Sequence, residues 1–86
     1  TQAIIGHHVK VCAGAVISSQ VNLGGACVVN EQTYIGMGAL VLEKVSIGRE
    51  TIIGMGSVVY KDIPDGVIAL GNPARVARKN EDKKVF

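Results

Sequence analysis

Aliphatic residues recur every six positions along most of this chain, and no other feature restricts its fold as strongly. The first position of each hexad holds Ile5, Val11, Ile17, Leu23, Val29, Ile35, Val41, Ile47, Ile53 and Val59. Val, Ile and Leu supply 26 of the 86 residues, so ten successive matches would arise by chance roughly once in a hundred thousand trials, and the period is real. The fifth position agrees: Val9, Ala15, Val21, Cys27, Thr33, Ala39, Val45, Thr51, Ser57 and Ile63 are nearly all small or β-branched. Two positions in six therefore face inward. Gly fills the second position at Gly6, Gly24, Gly36, Gly48 and Gly54, where the chain needs a backbone angle or a closeness that other residues resist. Six matches neither the 3.6 of an α-helix nor a plain alternation of two, and fits a coil of short strands stacked by backbone hydrogen bonds. The segment Ile35-Gly-Met-Gly-Ala39 returns as Ile53-Gly-Met-Gly-Ser57 after 18 residues, so three hexads make one coil.

These coils set the expected architecture: an all-β parallel β-helix of about three to four triangular coils over residues 1–64, followed by a C-terminal capping segment and tail over 65–86. The hexads stop at Pro64, where Asp65-Gly66 and then Gly71-Asn72-Pro73 interrupt the pattern. The polar stretch from Arg78 to Phe86 reads as a short helix or a frayed tail. At the other end Ala3 occupies a fifth position and Thr1 a third, so the chain opens in mid-repeat. A solenoid needs polar end caps to stay soluble, and upstream sequence is expected to cover this end. With three aromatic residues in total, the interior must be filled by aliphatic side chains.

Several function classes recede on composition. A formal charge of +2, with the basic residues gathered after Pro73, provides no basic stripe interleaved with aromatics for a nucleic acid to stack on. No apolar stretch approaches the roughly 20 residues of a membrane span, and the first residues of this sequence lack the charged start and apolar run of a signal peptide. Cys12 and Cys27 sit in apolar surroundings without metal-ligand spacing, which suits free thiols in a reducing, cytoplasmic setting and no metal site.

Third and fourth positions fall at the outward corners of the coils, where side chains are free for function. One corner column carries His7, Gly25, Glu43 and Lys61, a second Ala13, Glu31 and Arg49, and a third Ser19, Met37 and Met55. The last continues into Gly38 and Gly56, so two successive coils present Met-Gly, exposed backbone beside flexible apolar side chains, and a long thin ligand would lie along it. Lys61, Arg49 and Arg75 are the cations placed to meet phosphates. His7 and His8 are the two histidines and the candidates for proton transfer near neutral pH. His7 stacks over Gly25, which leaves room beside its imidazole.

These motifs resemble those of the hexapeptide-repeat acyltransferases, most closely the sialic acid O-acetyltransferase and bacillosamine N-acetyltransferase group. The resemblance rests on Ile4-Ile-Gly-His-His8, Ile17-Ser-Ser-Gln-Val-Asn-Leu-Gly-Gly25, Thr33-Tyr-Ile-Gly-Met-Gly-Ala39, Lys61-Asp-Ile-Pro-Asp-Gly66 and Gly71-Asn-Pro-Ala74. It implies a left-handed helix and acetyl transfer from acetyl-CoA to an amino or hydroxyl group of a sugar or nucleotide sugar. By the same resemblance His7 is the general base, and Gly25, Met37 and Met55 fall at cofactor contacts made largely by backbone. The Met-Gly glycines Gly38 and Gly56, together with Lys61, complete that expected strip. Two departures stand out: His8 replaces the acidic residue that follows the family's base, and Val16 stands where relatives often place a histidine near the thioester. The family also implies a homotrimer with the cofactor between subunits, and an N-terminal nucleotide-sugar-binding domain. Two other readings remain open at this point: a γ-class carbonic anhydrase, which would need zinc held by three histidines, and a non-catalytic trimeric β-helix scaffold.

Overall fold

The computed structural model describes residues 4–79, with twelve strands in that span. The first ten are two residues long: β1 (Ile4–Ile5), β2 (Lys10–Val11), β3 (Val16–Ile17), β4 (Asn22–Leu23), β5 (Val28–Val29), β6 (Tyr34–Ile35), β7 (Leu40–Val41), β8 (Ser46–Ile47), β9 (Ile52–Ile53) and β10 (Val58–Val59). Two longer strands follow, β11 (Val67–Gly71) and β12 (Ala74–Lys79). Strands three apart in sequence pair in parallel, with Ile5 beside Leu23, Val11 beside Val29 and Ile17 beside Ile35. Each register step is 18 residues, the coil length that the returning Met-Gly segment implies. The result is a three-sided prism. Its first sheet is β1-β4-β7-β10, its second β2-β5-β8, and its third β3-β6-β9-β11-β12. The fold is a left-handed parallel β-helix of about four turns.

The core is built from the two inward positions. From the second coil onward the first-position residues Leu23, Val29, Ile35, Val41, Ile47, Ile53 and Val59 are buried, as are the fifth-position residues Val21, Cys27, Ala39 and Val45. Polar residues enter this column only with a partner, since an unmatched polar group buried there would cost free energy. Thr33 Oγ1 donates to the Gly48 carbonyl at 2.6 Å, and Thr51 Oγ1 donates to the Pro64 carbonyl at 3.0 Å. Ser57 Oγ accepts the Gly71 N–H at 3.1 Å.

The corners separate two demands that the sequence leaves merged in the second-position glycines. Left-handed backbone falls on the fourth position, at His8, Gly14, Gln20, Ala26, Gln32, Gly38, Lys44, Glu50 and Gly56, with φ between 53° and 75°. Six of these nine are not glycine, so the stacked coil imposes the angle on ordinary side chains. The second position instead needs closeness. A Cβ at Gly24 would lie 2.5 Å from the Glu43 nitrogen, and one at Gly36 would lie 2.6 Å from the Met55 nitrogen.

Past Pro64 the hexad spacing ends but the stacking does not. Ile63 bridges Ile47 on the second sheet, flanked by two carboxylates that accept backbone N–H groups left without a coil beneath them. Asp62 Oδ1 takes Ser46 N–H at 2.9 Å and Asp65 Oδ1 takes Arg49 N–H at 2.8 Å. On the third sheet β11 pairs in parallel with β9, and β12 folds back antiparallel on β11. This hairpin corrects the reading of Arg78 and Lys79 as the start of a helix or frayed tail, because Arg78 pairs with Ile68 and Lys79 with Val67. The remainder of that tail, residues 80–86, and the mid-repeat opening at Thr1 and Ala3 lie outside the described residues.

Candidate active site

Sheet order fixes how the expected site residues are shared among the corners. The chain leaves the first sheet at the His7, Gly25, Glu43 and Lys61 column and returns to it at the Ser19, Met37 and Met55 column. One face of the prism is therefore bounded on one edge by His7 and on the other by the two methionines. Between them the outward residues of that face are Ile4, Asn22, Leu40 and Val58, which carry no charge.

His7 is exposed, and its carbonyl accepts the Ala26 N–H at 2.8 Å, pinning the corner to the coil below. Gly25 lies directly beneath, and a Cβ there would meet only the His7 carbonyl oxygen, at 3.5 Å. Space beside the imidazole is thus a property of the fold. His8, the neighbouring fourth-position residue, has φ 63° and a ring centroid 6.4 Å from that of His7, tilted by 48°. The two imidazoles diverge. Among the described residues no group of three His, Cys, Asp or Glu side chains gathers as a metal site.

The opposite edge is apolar and open. Met55 is 73% exposed and Met37 46%, and nothing lies within 4 Å of a Cβ built at Gly38 or Gly56. Backbone ladders tie the column together: Gly38 N–H donates to the Ser19 carbonyl at 3.0 Å and Gly56 N–H to the Met37 carbonyl at 2.9 Å. Val16 sits apart from both edges, exposed on the third sheet beside Tyr34. Arg49 occupies the remaining corner, away from Lys61.

The β11–β12 hairpin adds a feature that hexad reasoning does not reach. Its tip passes beneath the first sheet, since Gly71 bonds Ser57 before β10 and the Tyr60 hydroxyl, just after β10, donates to Asn72 Oδ1 at 3.4 Å. There Tyr60, Lys61, Pro73, Ala74 and Arg75 line a cleft of about 520 Å³. Lys61 and Arg75 are brought together, and Lys61 shares the His7 corner three coil steps away, about 14 Å at the usual strand spacing. Tyr60, Pro73 and Ala74 were missed as site residues; the signal for the last two is Gly71-Asn-Pro-Ala74, the turn that reverses β11 into β12. Among the described residues the one displaced titratable group is Cys27, in the core of the second coil and away from this cleft. Burial pushes its thiol upward, opposed by a backbone hydrogen bond.

Known proteins resemble this chain in sequence and in backbone. The chain is 34% identical over 77 residues to the 2,3,4,5-tetrahydropyridine-2,6-dicarboxylate N-acetyltransferase of Clostridium perfringens, a match covering 87% of this chain and 33% of that protein. It is 48% identical over 54 residues to the galactoside O-acetyltransferase of Lactococcus lactis, covering 63% of this chain and 26% of that protein. Its backbone superimposes with a TM-score of 0.87, at 37% identity, on a histidine variant of perosamine N-acetyltransferase from Caulobacter crescentus in complex with CoA and GDP-perosamine. That match covers 88% of this chain and 36% of the other. The chain belongs to the hexapeptide-repeat acetyltransferases. No protein-family model matches it. As a hexapeptide-repeat acetyltransferase it spans about a quarter to a third of the length of the two curated relatives named above. No helix among the described residues is long and apolar enough to cross a membrane.

Proposed function

We propose that this chain is the β-helical part of an acetyltransferase that uses acetyl-CoA to acetylate an amino or hydroxyl group of a sugar or nucleotide sugar, with His7 as general base. One observation carries the reading. A single face has an exposed imidazole on one edge, two Met-Gly steps on the other, and at its C-terminal end a cleft lined by Lys61 and Arg75. The ligand such a face suits is slender and amide-bearing, with phosphates at one end and a reactive group at the other. The relative solved with CoA and GDP-perosamine supports both substrate classes.

In this reading Lys61 and Arg75 hold the phosphates of acetyl-CoA, and the backbone at Gly25, Gly38 and Gly56, with the Met37 and Met55 side chains, lines the path of the pantetheine arm. His7 takes the proton from the acceptor amine or hydroxyl as its heteroatom attacks the thioester carbonyl. Backbone N–H groups steady the oxygen that becomes negative. The imidazolium then returns the proton to the departing thiolate, so the base is restored in one turnover. His7 and the methionine edge stand on opposite sides of one prism face, and a homotrimer that brings unlike edges of neighbouring copies together would complete the site. A cytoplasmic location fits the free thiols.

The test is a direct assay of the full-length protein with acetyl-CoA and a panel of amino- and hydroxy-sugars and their nucleotide derivatives. Loss of a positioned general base typically lowers the rate 10²- to 10⁴-fold, and that is the expectation for His7→Ala. Full activity in His7→Ala would remove His7 from the role, and acetylation of amino acids in preference to every sugar would overturn the acceptor class.

A further inference from the structure

The chain's two methionines occupy the same position in successive coils, on one corner of the prism, where in the single chain Met55 is 73% and Met37 46% exposed. Stacked coils set them one strand spacing apart, about 4.8 Å. Neither sulfur is shaded by the following residue, which is glycine in both coils, with φ 73° and 71° and clear space where a side chain would begin. The corner bears no charge, its other members being Ser19 and Gln20. The other sulfur-bearing side chains are less available: Cys27 is buried and its thiol held in the neutral form, and Cys12 is half-buried.

We infer that Met37 and Met55 form a peroxide-sensitive modification site that controls occupancy of this corner by the coenzyme. The step transfers one oxygen from a peroxide of the hydrogen peroxide class to the thioether sulfur. The O–O bond breaks, an S=O bond forms, the sulfur is oxidised, and the second peroxide oxygen leaves as water. A flexible apolar side chain becomes a polar one carrying a fixed S–O dipole. On a strip that offers apolar contact to a slender ligand, two such dipoles replace contact surface with groups that retain water. The change is reversible by an enzyme that reduces methionine sulfoxide. This inference rests on the placement of the pantetheine arm along the Met37/Met55 edge.

The experiment exposes the full-length protein to hydrogen peroxide with and without coenzyme A, then treats it with a thiol to restore oxidised cysteine, and follows each methionine by peptide mass spectrometry. Met55, the more exposed, is expected to gain oxygen first, and coenzyme A to slow both reactions. After full oxidation the KM for acetyl-CoA is expected to rise several-fold. In the M37L/M55L variant, whatever its starting KM, peroxide is expected to leave that value unmoved. Oxidation unaffected by saturating coenzyme A would overturn the placement of the arm. Protection by coenzyme A combined with an unchanged KM after full oxidation would leave the placement standing and overturn the control. Resistance of both methionines to peroxide would overturn the modification site itself.

Discussion

Gly24→Ala is expected to be the most damaging single-methyl change in the His7 corner, and its size follows from the stacking. A Cβ at Gly24 would stand 2.5 Å from the Glu43 nitrogen, 2.8 Å from the Leu42 carbonyl carbon and 2.9 Å from the Glu43 Cα. All three are backbone atoms of the next coil, so no side chain can rotate away. Reaching ordinary contact at 3.4 Å requires the two coils to part locally by nearly 1 Å. That opening stretches the bonds that clasp the corner: Gly24 N–H to the Val41 carbonyl at 2.8 Å and Lys44 N–H to the Gly25 carbonyl at 2.9 Å. Overpacking costs about 1–3 kcal/mol, and weakening two hydrogen bonds adds about 1 kcal/mol or more, for a loss of roughly 2–5 kcal/mol. For a domain of this size each 1 kcal/mol moves Tm by about 4–8 °C, so the melting temperature should fall by about 8 °C or more. Two controls isolate the cause. Gly25→Ala meets one atom at 3.5 Å and should melt close to the parent. Gly38→Ala has open space but φ 73°, and should lose only about 1 kcal/mol for the left-handed angle. Thermal unfolding followed by circular dichroism orders the three. A Gly24→Ala protein as stable as the parent, or a Gly38→Ala protein less stable than Gly24→Ala, would refute the claim that second-position glycines are there for closeness.

Three further outcomes follow from the same geometry. Removing either cation of the hairpin cleft, in Lys61→Ala or Arg75→Ala, should raise the KM for acetyl-CoA about 10-fold or more, the value of a charge-assisted hydrogen bond of about 1.5–3 kcal/mol, with a smaller effect on kcat; steady-state kinetics over a coenzyme series lacking the phosphates would show whether the loss tracks those groups. Asp65→Ala removes the 2.8 Å acceptor of the solvent-exposed Arg49 N–H and should lower stability by about 0.5–1.5 kcal/mol, read as a lower denaturation midpoint with an unchanged slope in urea. Because burial raises the Cys27 thiol, the folded chain holds that proton more tightly than the unfolded chain. Stability should therefore be unaffected by this group below the ordinary thiol range near pH 8.5 and decline as pH rises through the raised folded value. Cys27→Ala, though less stable overall, should show a flatter alkaline limb in unfolding experiments against pH.

How much could be read from the sequence divides according to what repeats. Inward residues repeat, and the column from Leu23 to Val59 is legible because burial inside a stacked coil selects aliphatic side chains at a fixed spacing. Corner residues repeat less strictly, and the distinction between angle and closeness was hidden because glycine satisfies both. The structure shows Gln20, Ala26, Gln32, Lys44 and Glu50 carrying left-handed backbone while Gly6, Gly24, Gly36 and Gly48 press against the backbone stacked on them. Assignment of residues to corners followed from the 18-residue coil, which is why His7, Gly25 and Lys61 fall on one edge and Met37 and Met55 on another.

The cleft was not legible, and the reason is physical. A solenoid encodes contacts between residues 18 apart, so anything built by the coils can be counted along the sequence. The β11–β12 hairpin breaks that rule. It joins the third sheet as a parallel strand on β9, reverses after Gly71, and reaches across the prism's end to meet Tyr60 on the first sheet. Its contact with Tyr60 spans 12 residues rather than the 18 of a coil, and so the cleft that unites Pro73, Ala74 and Arg75 with Tyr60 and Lys61 carried no coil-length mark. Yet the same departure is what makes this end of the described chain concave. A regular prism presents flat faces and convex corners, neither of which can surround a phosphate group. By folding back toward the residues after β10, the hairpin lets Arg75 and Lys61 line one cleft at the end of that face. A chain built purely of hexads would have the His7 corner and the methionine edge, but not the cleft in which the proposed function seats the phosphates of the coenzyme.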